Sequence, residues 1–249
     1  MTEIEYAGGE LAIFREAVHW KRYWSGVIAP FVGTHVLDVG AGIGATAQTL
    51  ARRDQTLWVE LEPDPAQARE IEQLRDRGAM PAHCEVRIGT SADLRDDDLF
   101  DTVLYIDVLE HIEDDRDELA RVLRHVSPGG HVVILAPAHG FLYTPFDRSI
   151  GHFRRYDRDS LSALVPPDCD MVFSRYLDSV GMLASLANRV LLRQSTPTRT
   201  QILFWDRVLV RCSVLLDRLT FGCVGKTIVG VFRKRDDAGD RAAGSSVPA

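Results

Sequence analysis

Apolar and polar positions fall into repeating blocks along this chain, and the blocks predict strands and helices in alternation. Short runs rich in Val, Ile and Leu are typical of strands buried on both faces of a sheet. These runs lie near residues 35–40, 56–62, 84–89, 101–107 and 131–136. Stretches with helical character lie near residues 44–53, 65–77 and 113–126. The alternation predicts an α/β fold in which helices cover both faces of a mostly parallel sheet.

The first strand runs directly into a glycine-rich turn. Residues 36–39 read Val-Leu-Asp-Val, and a helix is predicted to begin at Ala45. Between them lie Gly40, Gly42 and Gly44, which permit a tight turn and a close approach of a ligand to the backbone. A strand, a glycine turn and a helix in this order are typical of a nucleotide-binding unit. The glycine spacing alone suits a dinucleotide enzyme equally well.

Asp38 distinguishes between the two kinds of ligand. An ionised carboxylate at the end of the strand would repel a pyrophosphate on the same backbone, so a cationic ligand is favoured. An acidic residue followed by Gly-x-Gly resembles the first motif of the class I methyltransferases (type 11 and type 12), which use S-adenosylmethionine. This cofactor carries an ammonium and a sulfonium but no phosphate. The resemblance implies that it binds at Asp38, Gly40, Ala41 and Gly42.

Later segments resemble the same family in its order and at its spacing. Glu62 ends the second strand, where a carboxylate can accept hydrogen bonds from both ribose hydroxyls. Thr90 and Ser91 follow the third strand, where the family places its adenine contacts, although the family often has an acid in place of Thr90. Residues 100–111 resemble the fourth strand and its loop, and residues 127–136 resemble the following turn and fifth strand.

The loop after the fourth strand carries candidate chemistry. The resemblance implies that Asp107 contacts the methionine end of the cofactor. His111 is a candidate general base because an imidazole titrates near neutral pH, although a Glu-His pair can also cap a helix. A related family of quinone-pathway O-methyltransferases holds magnesium with a similar pattern, matched here by Asp107, Glu110 and His111. The pattern also occurs in members that work without metal, and we expect no metal here.

Residues 151–156, Gly-His-Phe-Arg-Arg-Tyr, are dense in side chains that are unfavourable to bury. We expect His152 to accept a proton, and Arg154 or Arg155 to hold a carboxylate or phosphate through a planar fork. Alternatively, both arginines pair with local acids such as Asp147, Asp157 and Asp159. The segment resembles one found in bacterial methyltransferases of polysaccharide and secondary-metabolite pathways. The predicted substrate-binding residues are Tyr143, Arg154, Arg155 and Tyr156.

Residues 1–34 are expected to form a helical cap before the first strand, with a helix over residues 10–31. Its aromatic cluster includes Tyr23. One interpretation is that the cluster packs the cap onto the sheet, because aromatic residues dominate cores. The other, suggested by related sequences, is that Tyr23 contacts the methionine end of the cofactor.

The resemblance extends over residues 36–164 and implies a Rossmann-like sheet of seven strands, the last of them antiparallel. Residues 170–177 and 226–233 are the predicted final strands, and residues 178–225 form an insertion with two helices. The second helix is expected to bury one face against the domain, a partner copy or an apolar substrate. That face comprises Ile202, Trp205, Val208, Leu209, Cys212, Leu215, Leu216 and Leu219, and the polar face comprises Asp206, Arg207, Arg211, Asp217 and Arg218.

Composition narrows the remaining possibilities. The 249 residues are expected to form one domain over residues 1–235, followed by a disordered tail at 236–249. A net charge of −7 argues against a broad nucleic-acid footprint. The four cysteines show neither metal-site spacing nor a disulfide framework, which favours the reducing cytoplasm. No leader sequence or transmembrane segment is apparent.

The resemblance implies an enzyme of biosynthesis that transfers a methyl group from S-adenosylmethionine to oxygen or nitrogen of a small molecule. S-adenosylhomocysteine would be the product, and the expected acceptor is a sugar or secondary metabolite. A homodimer through residues 178–225 is a further expectation. The alternatives are an NAD(P)-dependent oxidoreductase, for which no Tyr-x-x-x-Lys pair exists, and a non-catalytic binding protein that retains the fold.

Overall fold

The computed structural model describes residues 16–187 and 198–236. In these ranges a seven-stranded sheet has the order β3-β2-β1-β4-β5-β7-β6. Its strands are β1 His35–Val39, β2 Leu57–Glu62, β3 Cys84–Ile88, β4 Phe100–Ile106, β5 Val126–Pro137, β6 Cys169–Leu177 and β7 Thr227–Lys234. Only β7 runs antiparallel to its neighbours, β5 and β6. The predicted fold class is confirmed, including the antiparallel last strand.

Helices cover both faces of this sheet. They are α1 Val18–Ile28, α2 Ala45–Leu50, α3 Pro65–Asp76, α4 Asp115–Val122, α5 Pro145–Ser149, α6 Arg158–Ser162, α7 Ser179–Ala187, α8 Arg199–Phe204 and α9 Val210–Leu219. A π-helical turn, Trp205–Leu209, joins α8 to α9. None of the described helices has the length and hydrophobicity that a membrane span requires. The predicted start of the first helix at residues 10–15 and the tail at 237–249 lie outside the described residues.

Strand alternation divides the apolar side chains between two cores. In β1, Leu37 and Val39 contribute to the core that includes α4 and α6, whereas Val36 contributes to the core beneath α1, α2 and α9. Polar residues set where the helices begin. Asp64 caps α3 by accepting a hydrogen bond from the Ala66 amide at 2.7 Å. The loops that leave the strand ends therefore have fixed directions.

The strand order places a crevice at the end of β1. The chain continues from β1 to β2 on one side, and β4 pairs with β1 on the other side. In open α/β sheets, ligands bind at such a reversal, outside the carboxyl ends of the strands. The glycine turn that follows β1 lies at this position.

The face assignment of the long insertion helix is wrong. Asp206 and Asp217 are 1% and 0% exposed, whereas Leu215 and Leu219 are 65% and 76% exposed. The two aspartates turn inward because each accepts hydrogen bonds from the first amides of another helix. Asp206 accepts from the Trp20 amide at 2.8 Å, and Asp217 accepts from the Ser179 amide at 3.1 Å. Capping of helices distant in the chain therefore decides this orientation.

Candidate active site

The turn after β1 needs glycine. Gly40, Gly42 and Gly44 have φ values of 66°, 59° and 71°, which are left-handed conformations that other residues rarely adopt. A Cβ atom on Gly40 would also lie 2.9 Å from both Val108 methyl groups. Val108 belongs to the loop after β4. Close packing between the two loops thus leaves no room for a side chain at position 40.

Glu62 holds the glycine turn in place. Its Oε2 accepts a hydrogen bond from the Gly42 amide at 2.7 Å, and its Oε1 accepts one from the Asp64 amide at 2.9 Å. Burial raises the pKa of Glu62 against the opposing effect of these bonds. Each carboxylate oxygen retains a second lone pair. Contact with ribose hydroxyls therefore remains possible for Glu62 and stays a prediction.

Asp38 lies beneath the turn. It is 1% exposed, and burial raises its pKa to about 7. The side chain is enclosed by the sheet and α2, and contact of an ionised Asp38 carboxylate with the ligand stays a prediction. Asp38 keeps its place directly before the glycine turn, so it can still act on a bound cation through space.

A second acid, Glu60, stands beside Asp38. The two residues are partners in the β1–β2 register, so their side chains lie side by side on the same face of the sheet. Glu60 is 0% exposed, and burial together with Asp38 raises its pKa well above the usual value. Two neighbouring buried acids do not readily ionise together, because the charge of each disfavours the charge of the other. The sequence signal for Glu60 was an acidic residue inside an otherwise apolar strand, on the same face of β2 as Glu62.

The adenine candidates Thr90 and Ser91 occupy the loop after β3. Thr90 is exposed, and its hydroxyl donates to Asp93 at 3.0 Å in a capping arrangement. Ser91 is buried and donates to Glu118 at 2.6 Å. Glu118 also accepts from the Tyr105 hydroxyl at 2.7 Å. The polar network fixes this loop beside the crevice, and the adenine role of both residues stays a prediction.

Asp107 follows β4 directly and has a φ of 55°. Such a conformation is uncommon for residues other than glycine and persists where surrounding structure enforces it. The Asp107 amide donates to the Leu135 carbonyl at 2.8 Å, while the residue itself is exposed. Its neighbour Val108 packs on Gly40. The structure therefore brings Asp107 to the glycine turn, as a contact with the cofactor would require.

The two candidate catalytic histidines lie together. The ring centroids of His111 and His152 are 4.5 Å apart. Nδ1 of His152 lies 3.1 Å from Oδ1 of Asp147, and Nε2 lies 3.8 Å from Oε1 of Glu110. Because a carboxylate only accepts, Asp147 favours a hydrogen on Nδ1 and leaves the Nε2 lone pair directed toward Glu110.

Burial shifts the pKa values of His111 and Glu110 toward their neutral forms. Desolvation, helped by His152, lowers the pKa of His111 to about 4, so its ring is neutral at pH 7. Glu110 is 0% exposed, and burial raises its pKa well above the usual value. Within the described part of the chain, neither Glu110 oxygen accepts a hydrogen bond. A base with a pKa near 4 is weak at neutral pH, so His152 is the stronger catalytic candidate.

Ligand atoms of Glu110, His111 and His152 all lie within 4.8 Å of one another. The sequence pattern that resembles a magnesium site has Asp107 as its third residue beside Glu110 and His111, whereas this group has His152. Two imidazoles and one carboxylate suit zinc or another transition metal, whereas magnesium prefers oxygen ligands. The observed group does not fit magnesium, and the expectation that the chain needs no metal stays a prediction.

The predicted substrate-binding residues lie around His152. The Arg155 guanidinium lies 2.8 Å from Asp147, as the alternative with local acids proposed, whereas Arg154 pairs with Asp115 at 2.6 Å. The hydroxyl of Tyr143 donates to the His152 carbonyl at 2.6 Å. Tyr156 is 1% exposed and donates to Asp115 at 2.8 Å. These contacts support positioning, and direct substrate contact by the four residues stays a prediction.

Tyr23 lies elsewhere. Its hydroxyl donates to Oδ2 of Asp217 at 2.8 Å, and burial followed by this contact raises its pKa. The edge-to-face packing of Tyr23 on Trp20, with centroids 6.1 Å apart, supports the interpretation that the cluster packs the cap. The predicted contact between Tyr23 and the cofactor remains untested.

Comparison with known proteins agrees with this architecture. Residues 37–132 match the family model described as a methyltransferase domain. The demethylmenaquinone methyltransferase of Tropheryma whipplei (strain Twist) is 28% identical over 158 residues, which are 62% of this chain and 62% of the relative. The ubiquinone biosynthesis O-methyltransferase of Paracidovorax citrulli (strain AAC00-1) is 31% identical over 110 residues, which are 44% of this chain and 46% of the relative.

A solved structure extends the likeness to nearly the whole fold. The N-methyltransferase NodS from Bradyrhizobium japonicum WM9 has a TM-score of 0.54 at 15% identity, with 90% of this chain and 97% of that chain covered. At this identity the likeness concerns the fold. The chain spans 62% of the length of the first curated relatives it matches. Residues 37–132 thus match a methyltransferase domain, and the strand order and the glycine turn agree with the class I, S-adenosylmethionine-dependent type of this fold.

Proposed function

We propose that the protein transfers the methyl group of S-adenosylmethionine to an oxygen or nitrogen atom of a small molecule. The observation that carries this proposal is the turn after β1, where left-handed Gly40 and Gly42 are locked by Val108 and Glu62. This turn lies at the reversal of strand order, where the fold places ligands. We further propose a sugar or a secondary metabolite as the acceptor.

Methyl transfer requires the protein mainly to align and desolvate the reactants. When bound, S-adenosylmethionine supplies an activated methyl group and a neutral thioether leaving group. Asp107, at the carboxyl end of β4, is proposed to hold the amino-acid end of the cofactor. An acceptor hydroxyl also has to lose a proton. His152 is proposed to accept it through Nε2, since Asp147 holds Nδ1 at 3.1 Å.

The residues around His152 prepare it for that step. Asp147 is 1% exposed; although burial raises its pKa, hydrogen bonds from His152 and Thr144 and the Arg155 charge hold it well below the usual range. An ionised Asp147 keeps the imidazole oriented and stabilises its charged form after proton transfer. Arg155 is therefore proposed as a positioning residue that secures Asp147.

The direct test is transfer of labelled methyl from S-adenosylmethionine to a panel of sugars, phenols and amines, together with calorimetric binding of S-adenosylhomocysteine. We expect binding of the product and methylation of at least one acceptor. Binding without transfer to any acceptor would favour the non-catalytic alternative. Binding of reduced nicotinamide dinucleotide, with no binding of S-adenosylhomocysteine, would favour the oxidoreductase.

We also propose that the chain acts in the cytoplasm and forms a homodimer through the insertion. Support for the dimer comes from the exposed apolar side chains of Val208, Leu215 and Leu219, which follow one side of the insertion helix. Sedimentation at micromolar concentration tests this association. A monomer at that concentration would remove the dimer from the proposal without affecting the assignment of methyl transfer.

A further inference from the structure

An open cleft lies apart from the glycine turn and the His152 group, between α1, β6 and α9. Its volume is about 420 Å³, within the range of small-molecule sites. The lining is rich in positive charge. The four arginines that line it are Arg22, Arg175, Arg211 and Arg218, and His19 lies beside them.

None of these four arginines forms an ion pair with a carboxylate of residues 16–187 or 198–236. Arg175 donates through Nη2 to the Asp217 carbonyl at 3.2 Å. Its Nε is buried and has no acceptor within the described residues. A buried donor without an acceptor is unfavourable, so this guanidinium has hydrogen-bonding capacity that its described neighbours do not use.

Arg211 is held at the wall of the cleft by hydrogen bonds that run through His19 to Asp206. Nδ1 of His19 lies 2.9 Å from Oδ2 of Asp206. The carboxylate therefore favours a hydrogen on Nδ1, and Nε2 accepts a hydrogen bond from Arg211 at 2.6 Å. This arrangement orients the guanidinium without neutralising it at close range.

The two carboxylates behind the cleft, Asp217 and Asp206, already accept hydrogen bonds from other groups. Oδ2 of Asp217 accepts from the Tyr23 hydroxyl and the Asp178 amide, at 2.8 Å and 2.7 Å. Oδ1 of Asp206 accepts from the Trp20 amide at 2.8 Å. These hydrogen bonds direct the carboxylates toward helix ends. The cleft thus keeps an excess of positive charge in a chain whose net charge is −7.

The remaining walls are apolar. Val27, Val210 and Val214 line the cleft, and no atom of the described residues lies within 4 Å of a Cβ built on Gly26. Leu215 is 65% exposed and follows four residues after Arg211, so it lies on the same flank of α9. Guanidinium groups are therefore combined with apolar surface in one concave site.

We propose that this cleft binds a phosphate monoester attached to an apolar body. Guanidinium groups bind phosphate oxygens through paired, charge-assisted hydrogen bonds, and four of them suit a doubly charged group. The valine walls accommodate the apolar portion. The proposal concerns binding alone and stands whether or not the protein transfers methyl groups.

Calorimetric titration of the full chain with octyl phosphate tests this assignment, with inorganic phosphate and the neutral octyl glucoside as comparison probes. The informative variant is Arg22→Ala/Arg218→Ala, because neither side chain forms an ion pair within the described residues. The matched control is Arg116→Ala, an exposed arginine on α4. Circular dichroism and the melting temperature verify that the variants fold.

We expect octyl phosphate to bind more tightly than either comparison probe. The double variant should weaken that binding at least about tenfold, since it removes two charge-assisted contacts. The Arg116→Ala control should bind as the unmodified protein does. Equal affinity of the double variant, or no binding of octyl phosphate at millimolar concentration, would overturn the proposal.

The phosphate could belong to a free metabolite or to a lipid in a bilayer. Co-sedimentation with phosphatidic acid vesicles, compared with phosphatidylcholine vesicles, separates these sources. Arginine-dependent binding to the phosphatidic acid vesicles indicates a lipid, and binding of octyl phosphate alone indicates a free ligand. Both results support a phosphate site, and absence of both contradicts it.

Discussion

At the scale of single residues, the Asp38–Glu60 pair determines the charge beneath the glycine turn. Both side chains are buried, and neither forms an ion pair with a residue in the described ranges 16–187 and 198–236. Ionising both acids together in such surroundings is strongly unfavourable. The pair therefore carries at most one negative charge at neutral pH, and its titration belongs to the two groups jointly.

This pair makes stability depend on pH in a definite direction. Burial raises the pKa of Asp38 to about 7, above the value of about 3.9 in an unfolded chain. Between these values the folded state binds more protons than the unfolded state, so this contribution to stability falls as the pH rises. In Glu60→Gln the partner cannot ionise. We expect the loss of stability between pH 5 and pH 8 to shrink by at least about 1.4 kcal/mol, one pKa unit.

Urea unfolding at several pH values measures that change. Glu85→Gln is the matched control, since Glu85 is exposed on β3 and forms a surface ion pair with Arg87. Subtracting the control removes contributions from other titrating groups. Parallel pH curves for Glu60→Gln and the unmodified protein would contradict joint titration of the two buried acids.

His152 offers a second prediction at this scale. Removing its Nε2 as a proton acceptor in His152→Gln should lower kcat by about 10²- to 10⁴-fold, the usual contribution of a general base. Binding of S-adenosylhomocysteine should persist, because His152 contacts Asp147 and Glu110 and makes no described contact with the glycine turn. Single-turnover assays and calorimetry measure the two effects. The control is His35→Gln, at the start of β1, and unchanged turnover in His152→Gln would exclude it as the base.

At the scale of elements, the glycine turn can be tested with a matched pair of glycines. Gly40 and Gly78 have similar φ values of 66° and 72°, but a Cβ meets Val108 at 2.9 Å only at Gly40. Gly40→Ala and Gly78→Ala should share a backbone penalty of about 1 kcal/mol. Only Gly40→Ala should weaken S-adenosylhomocysteine binding, by more than about tenfold.

Calorimetry on both variants provides the measurement. A second substitution, Val108→Ala in the Gly40→Ala background, removes the methyl groups that clash and should restore part of the affinity. Affinity that stays unchanged in Gly40→Ala would mean that the cofactor does not bind at this turn. Equal loss in Gly78→Ala would point to general destabilisation.

The insertion helix supplies the next prediction. Asp217→Ala leaves the Asp178 amide, the Ser179 amide and the Tyr23 hydroxyl without their acceptor. We expect the unfolding free energy to fall by more than about 2 kcal/mol. Leu219→Ala, at a position 76% exposed, should change it by less than about 0.5 kcal/mol.

Denaturant unfolding compares the two variants. The hydrophobic pattern of the sequence favours the opposite order, with Leu219 buried and Asp217 in solvent. A large loss in Leu219→Ala would show that the apolar side of the helix is covered in solution, and little loss in Asp217→Ala would contradict the capping role.

At the scale of the whole molecule, local signals were sufficient for the sheet and insufficient for the contacts between distant segments. The strands and the glycine turn follow from runs such as Val36–Val39, whose hydrophobicity and turn residues act within a few positions. The inward direction of Asp206 depends on the amide of Trp20, 186 residues earlier in the chain. The proximity of Glu110 to His152 likewise depends on how two loops fold back. The hydrophobic periodicity of the sequence therefore predicts neither the inward direction of Asp206 nor the proximity of Glu110 to His152.

Cofactor binding should be visible in the stability of the entire molecule. A ligand that binds only the folded state at a concentration of 100 Kd stabilises it by about 2.7 kcal/mol. For a domain of this size each kcal/mol raises Tm by about 2–4 °C, so S-adenosylhomocysteine should raise Tm by roughly 5–10 °C. Reduced nicotinamide dinucleotide at equal concentration is the comparison, because its pyrophosphate would lie over the negative charge of the Asp38–Glu60 pair. Differential scanning calorimetry measures both shifts. Stabilisation by the nicotinamide compound alone would show that this buried charge does not select the ligand.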